Sequence, residues 1–399
     1  MSEPAPGRRA FSIVFLTVLL DLTGFAMILP QIPFYALELN ATPAQVGMLF
    51  SSYSLAQFLF APLLGRFSDR VGRRPVLLAA LCGSAASHLL FAFAGSFAML
   101  IVARSLAGVA ASFSLAQAYA ADISSSQDRS RAMGLMGAAF GIAFVVGPLL
   151  GWGLGELEPR VVPLTAAALS AAGFLVALLR LPESLPAEVR ERAAEARTGP
   201  SGLSRVRRDG LLGGLLLLFF LVMFCFSIFE STLALYCQRR FALGRAETSG
   251  LFALVGIVLV VVQGGLLGRL VKRFGEKRLI LAGIGLMGAG VAVLPAAPTL
   301  ALFAACLCLL AAGSGLHNPS TLGLLSRLTG EGGQGGILGL SRSSAALART
   351  LGPALGTWMF GAAGAPWPFW TAGALLLAAL LGAWTVLSRV GRVALATPS

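Results

Sequence analysis

The chain alternates between long apolar stretches and short polar ones, and the apolar stretches have the length that a membrane helix needs. About 20 mostly apolar residues cross a bilayer as an α-helix. By that measure the sequence predicts twelve spans, numbered in chain order: 10–36, 43–65, 75–95, 97–121, 130–153, 161–181, 210–237, 247–268, 277–295, 298–322, 334–361 and 366–390. The predicted fold class is an all-α integral membrane protein.

Two short motifs recur at nearly the same offset along the chain. The loop 65–74 (GRFSDRVGRR) returns as 268–277 (GRLVKRFGEK), and the run 147–151 (GPLLG) returns as 352–356 (GPALG). A repeat of this kind indicates two related halves, and duplicated membrane halves are typical of secondary transporters.

The repeat divides the chain into three predicted parts: a six-helix bundle 1–181, a cytoplasmic central linker 182–209 and a second six-helix bundle 210–399. Charges of both signs alternate over 187–197, which favours a short solvated helix that joins the halves. A regulatory role of this linker stays open.

Composition supports a membrane protein and argues against a soluble enzyme. Hydrophobic residues make up 57% of the chain, charged residues only 12%, and the mean hydropathy is +0.83. The formal net charge of +13 does not indicate a nucleic-acid partner, because the basic residues cluster in short loops between apolar spans.

The positions of those basic residues predict the orientation in the membrane. Cytoplasmic loops are enriched in Lys and Arg. With a cytoplasmic amino terminus, the residues that fall inside are Arg8, Arg9, Arg66, Arg70, Arg73, Arg74, Arg129, Arg131, 269–278, Arg327, Arg389 and Arg392. Those that fall outside are Arg160, Arg239, Arg240 and Arg245. We therefore expect a multi-pass protein of the cell membrane with both termini in the cytoplasm, anchored by anionic lipid.

The loop after span 2 resembles a known family. Segment 65–74 matches the signature G-x-x-x-D-R-x-G-R-R of the major facilitator superfamily at every fixed position. Over its whole length the chain resembles the twelve-helix drug:proton antiporters of that superfamily, particularly the tetracycline-exporter-like branch. The resemblance implies two pseudo-symmetric six-helix bundles, a small-molecule substrate exchanged for protons, function as a monomer and no cofactor.

In that family the loop is part of a cytoplasmic gate. The resemblance implies that Arg73 reaches Asp122 at the end of span 4 and that Asp69 faces the amino-terminal end of span 11. The predicted gate residues are Gly65, Asp69, Arg70, Gly72, Arg73, Arg74 and Asp122. The alternative is a static anchor of positive charge on the inner side of the membrane.

Spans 4 and 5 carry two further patterns of the family. Arg104 and Gly108 resemble the R-x-x-x-G pattern that is implicated in proton coupling, although Ala107 stands where many members have Gln. Gly147, Pro148 and Gly151 resemble the antiporter signature G-x-x-x-G-P-x-x-G-G, with Ala143 and Trp152 at two of its glycine positions. Small residues and a proline favour close helix packing and a kink, so ordinary packing is the alternative to a role in export.

Two acids inside the predicted spans are candidates for proton coupling. Asp21 lies midway along span 1 and Glu230 lies in span 7. A carboxyl group at membrane depth can take up and release a proton when helix movement changes its surroundings. Either acid could instead be a permanent salt-bridge partner of Arg104, Arg342 or Arg349, and Glu230 could contact a cationic substrate.

Other polar and aromatic residues are candidates for the substrate cavity. Arg342 and Arg349 are seven residues apart and share a face of span 11. This pair resembles that of a eukaryotic relative of the tetracycline exporters that carries organic anions. The remaining candidates are Phe25, Phe226, Phe229, His317 and Asn318. His317 beside Pro319 also fits a hydrogen-bonded packing residue.

The function predicted from these residues is proton-coupled efflux of a lipophilic small molecule by alternating access, with Asp21, Arg104 and Glu230 coupling transport to protons. A proton-coupled importer or facilitator of sugar or organic anion is the alternative within transport. A non-transporting membrane protein or lipid-modifying enzyme is disfavoured, because the sequence lacks a metal cluster, a nucleophile triad and a phosphate-binding loop.

Overall fold

The computed structural model of the protein describes residues 6–125, 128–184, 209–329 and 334–396. Helices make up most of these residues, and no strand occurs among them. The helix expected at 187–197 lies outside the described residues. Every predicted span is helical, because an apolar segment at membrane depth must satisfy its backbone hydrogen bonds internally.

In the first half the helix bounds follow the predicted spans to within a few residues. Span 1 is Pro6–Ile28 continued by Ile32–Glu38, and span 4 is Phe97–Val109 continued by Ser112–Asp122. The other helices are Pro43–Val71, Arg73–Ala92, Arg129–Leu154 and Val161–Arg180. Span 1 is interrupted by a 3₁₀ turn at Leu29–Gln31, where Pro30 cannot donate a backbone hydrogen bond.

In the second half the helices are Gly210–Phe241, Arg245–Val260, Leu267–Val293, Leu300–Thr329, Gln334–Ala362 and Trp367–Ala396. Ten helical segments among the described residues have the length and composition to cross a membrane. One of them, Arg245–Ala296, contains spans 8 and 9 together. Span 11 is a further helix that is less apolar, so the structure is consistent with twelve spans.

The repeated loops turn at equivalent glycines. Gly72 has φ 118° and Gly275 has φ 74°, a region that residues with a Cβ rarely adopt. Gly275 separates spans 8 and 9 inside the continuous segment, which is why no longer loop is seen there. Glycine therefore permits an abrupt change of direction between adjacent helices in both halves.

The chain folds into two compact units, and each unit includes one short segment from the other half of the sequence. Unit 1 contains the described residues up to Thr42, Ser52 to Ser184 and Leu243–Ala253. Unit 2 contains Pro43–Ser51, Asp209 to Ala242 and the described residues from Leu254 onward. The segment from span 2 packs with unit 2 and the segment from span 8 packs with unit 1.

Small residues allow close helix packing inside each unit. In unit 1 a Cβ at Gly24 would lie 2.9 Å from the carbonyl oxygen of Ala166, so spans 1 and 6 touch backbone to backbone. In unit 2 a Cβ at Gly283 would lie 2.7 Å from the carbonyl oxygen of Gly313, which brings spans 9 and 10 together in the same way.

Candidate functional site

Asp21 lies buried in unit 1 among hydroxyl groups from three other spans. The Oγ atoms of Ser170 and Ser84 are 2.7 Å and 3.4 Å from its carboxylate oxygens, and Ser112 donates a further short hydrogen bond. Asp21 is 5% exposed and forms no ion pair with an arginine among the residues that the structure describes. The partners of this carboxyl group in unit 1 are therefore neutral.

The backbone around this acid is irregular. Span 4 is broken at Ala110–Ala111, where Ala111 has ψ 89°, and the second part of the span begins at Ser112. Ser84 Oγ is also 3.4 Å from the carbonyl oxygen of Ala110. Irregular backbone at membrane depth occurs where it is buried in protein or lines a cavity, and this break begins the helix from which Ser112 donates to Asp21.

Arg104 is buried in the same unit and packs against aromatic rings. Its Cζ atom lies 4.7 Å from the ring centroid of Tyr53 and 5.7 Å from that of Phe25. The two rings contact each other with centroids 4.9 Å apart. A guanidinium over aromatic faces gains cation–π stabilisation. The structure thus brings together two of the predicted residues, Arg104 and Phe25, and adds Tyr53.

In unit 2 the predicted residues are spread along spans 7, 10 and 11. Glu230 is half-buried next to Phe229, which is 2% exposed and lies 5.8 Å from the ring of Phe226. His317 is fully buried where span 10 meets Gly283 of span 9. Phe226, Phe229 and His317 therefore contact neighbouring side chains or helices as packing residues.

The polar atoms near His317 come from its neighbours on the same helix and from the backbone of Ile280 in span 9, with which His317 forms a hydrogen bond. Thr321 Oγ1 is 3.4 Å from His317 Nδ1, and the side-chain amide of Asn318 donates to Ser314 Oγ at 3.4 Å. Asn318 Oδ1 is buried and has no hydrogen-bond partner among the described residues. His317 thus has the surroundings of a packing residue, whereas Asn318 retains an unused acceptor.

Arg342 and Arg349 are both exposed on one uninterrupted helix, Gln334–Ala362. Their spacing of seven residues places them on one side of span 11. Arg349 has no ion-pair partner among the described residues of either unit. One face of span 11, which belongs to unit 2, therefore carries two exposed guanidinium groups.

Arg73 is the centre of the predicted cytoplasmic gate. It contacts Asp69 at 2.7 Å, Asp122 at 2.8 Å and the hydroxyl of Ser68 at 2.6 Å. Its side chain is 11% exposed, so these charge-assisted contacts are partly shielded from water. The contact between Arg73 and Asp122 is the one that the resemblance implies, and it ties the loop after span 2 to the end of span 4.

The other gate residues surround this cluster. Ser68 donates to the carbonyl oxygen of Gly65 at 2.8 Å, and Gly72 supplies the turn before span 3. Arg70 is exposed, whereas Arg74 is half-buried and donates to the carbonyl oxygen of Leu178 at 2.8 Å. Arg74 therefore ties the loop to the end of span 6.

The sequence reading missed Glu183, which completes the cluster from the start of the linker. Its carboxylate accepts the backbone N–H groups of Arg73 at 2.8 Å and Arg74 at 3.2 Å. Gly72 has no side chain to cap this helix, so Glu183 takes the role of the N-cap. Tyr119 fixes the same segment by donating to the carbonyl oxygen of Pro182 at 2.6 Å.

The antiporter motif of span 5 packs against two other segments of unit 1. A Cβ at Gly147 would lie 2.8 Å from the carbonyl oxygen of Thr23 in span 1, and a Cβ at Gly151 would lie 3.3 Å from Ser249 Oγ. Pro148 is buried within the uninterrupted helix Arg129–Leu154. Spans 1 and 5 and the segment Leu243–Ala253 thus meet along the motif.

Comparison with known proteins agrees with this fold and these motifs. Residues 14–267 and 264–397 match the Major Facilitator Superfamily, and the chain belongs to that family. It is 31% identical over 389 residues to a tetracycline resistance protein, class C, of Escherichia coli, an alignment that covers 95% of this chain and 98% of the relative.

Two solved structures share its fold. The crystal structure of the human organic anion transporter MFSD10 (TETRAN) matches with a TM-score of 0.71 and 29% identity, covering 95% of this chain and 100% of that chain. A bacterial homologue of the human lysosomal transporter Spinster matches with a TM-score of 0.74 at 15% identity, covering 97% and 99%, which shows the fold alone.

These comparisons confirm several predictions. The chain is a multi-pass membrane transporter with the twelve-helix major facilitator fold, and its relatives include tetracycline resistance proteins. The family and fold are those of transporters and not of enzymes, as predicted. Members of the family carry small-molecule substrates and typically work as monomers.

Proposed function

We propose that this transporter exports a lipophilic small molecule in exchange for protons and that Asp21 is the proton carrier. The observation that carries the proposal is the set of partners of Asp21, a buried acid that accepts hydrogen bonds from Ser84, Ser112 and Ser170. Arg104 and Glu230 complete the proposed coupling residues.

Serine hydroxyls suit a group that changes its protonation state. A hydroxyl donates to a charged carboxylate, and it rotates to accept a hydrogen bond when the acid is protonated. A permanent ion pair would oppose protonation, because a buried arginine would then lose its counter-charge. The neutral surroundings of Asp21 therefore allow both protonation states without breaking a salt bridge.

Export is supported by the relatives and by span 5. A relative with 31% identity over nearly the whole chain is a tetracycline resistance protein. The motif at Gly147, Pro148 and Gly151 resembles the antiporter signature and packs closely against span 1, which also carries Asp21. Movement of span 5 would therefore act on the helix that holds the acid.

The test is substrate-driven proton movement in liposomes that contain the purified protein and a pH-sensitive dye. The panel consists of tetracyclines, lipophilic cations and organic anions. The variants are Asp21→Asn and Glu230→Gln, and the matched control is Glu156→Gln, which removes an exposed carboxylate.

We expect at least one compound to drive proton counterflow in the wild type and the control but not in Asp21→Asn. Glu230→Gln shows whether Asp21 alone is sufficient for proton coupling. If counterflow requires both acids, this variant abolishes it; if Asp21 is sufficient, counterflow persists. Transport without proton movement, or counterflow that persists in Asp21→Asn, would contradict the proposal.

A second candidate is transport of organic anions. The observation that favours it is the pair Arg342 and Arg349 on one face of span 11, and a relative with 29% identity is a human organic anion transporter. If anions are carried, Arg342→Gln and Arg349→Gln should each weaken the apparent affinity for anions and leave that for lipophilic cations unchanged. Arg269→Gln, which removes an exposed arginine from the helix Leu267–Val293, is the control.

We further propose that both termini and the gate cluster around Arg73 are cytoplasmic. The arginines that favour this orientation include Arg66 and Arg70 of the first loop and Arg269 and Arg273 of its repeat, all of them exposed. Labelling of single cysteines placed at Arg66 and at Glu156 with a membrane-impermeant reagent tests it. In intact cells only the cysteine at position 156 should react.

A further inference from the structure

The second copy of the repeated loop has the same charged positions as the first, with opposite signs. The loop repeat aligns Asp69 with Lys272 and Arg73 with Glu276. The offset between the two GPxxG motifs, 147–151 and 352–356, aligns Asp122 at the end of span 4 with Arg327 at the end of span 10. A negative-positive-negative set in unit 1 thus becomes a positive-negative-positive set in unit 2.

The structure pairs the corresponding residues in unit 2. Arg327 forms an ion pair with Glu276, just as Asp122 does with Arg73 in unit 1. The Glu276 side chain is 10% exposed, whereas that of Arg327 is 64% exposed. The acid, and not the base, is therefore the inner member of the pair in unit 2.

The packing around Glu276 holds its carboxylate in one place. A Cβ at Gly323 would lie 2.8 Å from Glu276 Oε1, so this carboxylate rests directly on the backbone of span 10, one turn before Arg327. Gly275 turns the chain immediately before Glu276 with φ 74°. The glycines at positions 275 and 323 thus permit the approach, and the ion pair fixes it.

We propose that Glu276 and Arg327 are positioning residues of the transport cycle that fasten the connection between spans 8 and 9 to the end of span 10. Transporters of this architecture alternate access largely by movement of rigid repeats. Such a unit needs its helix connections tied to neighbouring helices. Unit 1 does this with Arg73 and Asp122, and unit 2 does it with the charges exchanged.

Exchanging the two charges distinguishes a positioning ion pair from a general contribution of positive charge at the cytoplasmic face. If the pairing matters, an inverted pair at positions 276 and 327 should work as well as the native one, because unit 1 already uses that polarity. If the loop only contributes positive charge to the cytoplasmic face, Glu276 should be dispensable and Arg327 should matter only for its sign.

The test is hydrogen–deuterium exchange of the segment 268–278, which contains the turn at Gly275, in the purified full-length transporter, measured together with its melting temperature. The variants are Glu276→Gln, Arg327→Gln and the exchange Glu276→Arg with Arg327→Glu. Arg278→Gln is the control, because it removes an exposed arginine two residues from Glu276 that forms no ion pair with the residues the structure describes. No substrate is needed, so the result is independent of the proposed export of drugs.

We expect each single variant to increase exchange of this segment by about two- to fivefold, because local opening no longer breaks an ion pair, and a pair with one exposed partner contributes modestly. The doubly exchanged variant should restore protection, and Arg278→Gln should match the wild type. The melting temperature should change little in any of them, which separates local positioning from global stability. Unchanged exchange in the single variants, or no recovery in the exchanged variant, would overturn the proposal.

Discussion

Gly108 of span 4 gives a sharp test of how Arg104 is held. A Cβ at this position would lie 2.2 Å from the carbonyl oxygen of Tyr53 and 2.9 Å from the Cβ of Ala56, both in span 2. Ordinary contact begins at 3.4 Å, so the Gly108→Ala variant must move the backbone of span 2 by about 1.2 Å. The obstacle is backbone, which cannot rotate away as a side chain could.

The energetic result follows from two opposing effects. Overpacking of this kind costs about 1–3 kcal/mol, and the higher helix propensity of alanine offsets up to about 1 kcal/mol. The displaced Tyr53 also carries the ring on which Arg104 packs at 4.7 Å, a contact worth about 0.5–2 kcal/mol. We therefore expect Gly108→Ala to lower both the stability and the rate of substrate-driven proton movement.

The assay compares melting temperature in detergent and transport in liposomes for Gly108→Ala and Gly137→Ala. Gly137 lies in span 5, and a Cβ there would have no neighbour within 4 Å among the described residues, so the second variant adds the same methyl group to open space. We expect the control to be as stable as the wild type or more stable. If the two variants behave alike, the contact between spans 2 and 4 is not as close as described and the reasoning fails.

Three other substitutions test the gate and unit 2. Arg73→Gln should destabilise the protein by about 3 kcal/mol, because it removes the arginine that pairs with the partly buried carboxylates of Asp69 and Asp122. Arg66→Gln, which removes an exposed arginine, should not; chemical denaturation measures both. Glu183→Ala should cost about 0.5–1 kcal/mol by removing an exposed helix cap, and faster amide exchange at the start of span 3 would reveal it. Gly352→Ala should lower the melting temperature because its Cβ would lie 2.9 Å from a carbonyl oxygen of span 7, whereas Gly339→Ala meets open space.

The twelve spans could be predicted because the thickness of the membrane dictates the length of an apolar helix. The breaks within the helices were harder to predict. The break at Ala110–Ala111 has no proline, and the pattern of apolar residues runs through it unchanged. Gly275, by contrast, marks a turn that is so short that the helices on either side form one continuous segment.

The candidate site was predictable only where a residue stands out from its surroundings. A charge inside an apolar run, such as Asp21 or Arg104, is visible in the sequence because it is costly in a membrane. The serines that donate hydrogen bonds to Asp21 cannot be recognised in the sequence, because serine is common in membrane helices and these three serines come from three different spans. Glu183 was missed for a related reason: its partner is the backbone of another helix, which leaves no pattern in the sequence.

Trp152 shows why a helix-packing motif is best interpreted together with its partner. In span 5 this residue stands where the antiporter signature has a glycine, so the sequence alone indicates lost close packing. In unit 1 its indole lies against Gly250, where a Cβ would be 3.6 Å from the ring. One turn earlier in span 8, a Cβ at Gly155 of span 5 would lie 3.0 Å from the Cα of Ala246, so the backbones still meet closely. The large residue on one helix is accommodated by a glycine on the other, and the departure from the signature leaves the contact between span 5 and the segment Leu243–Ala253 intact.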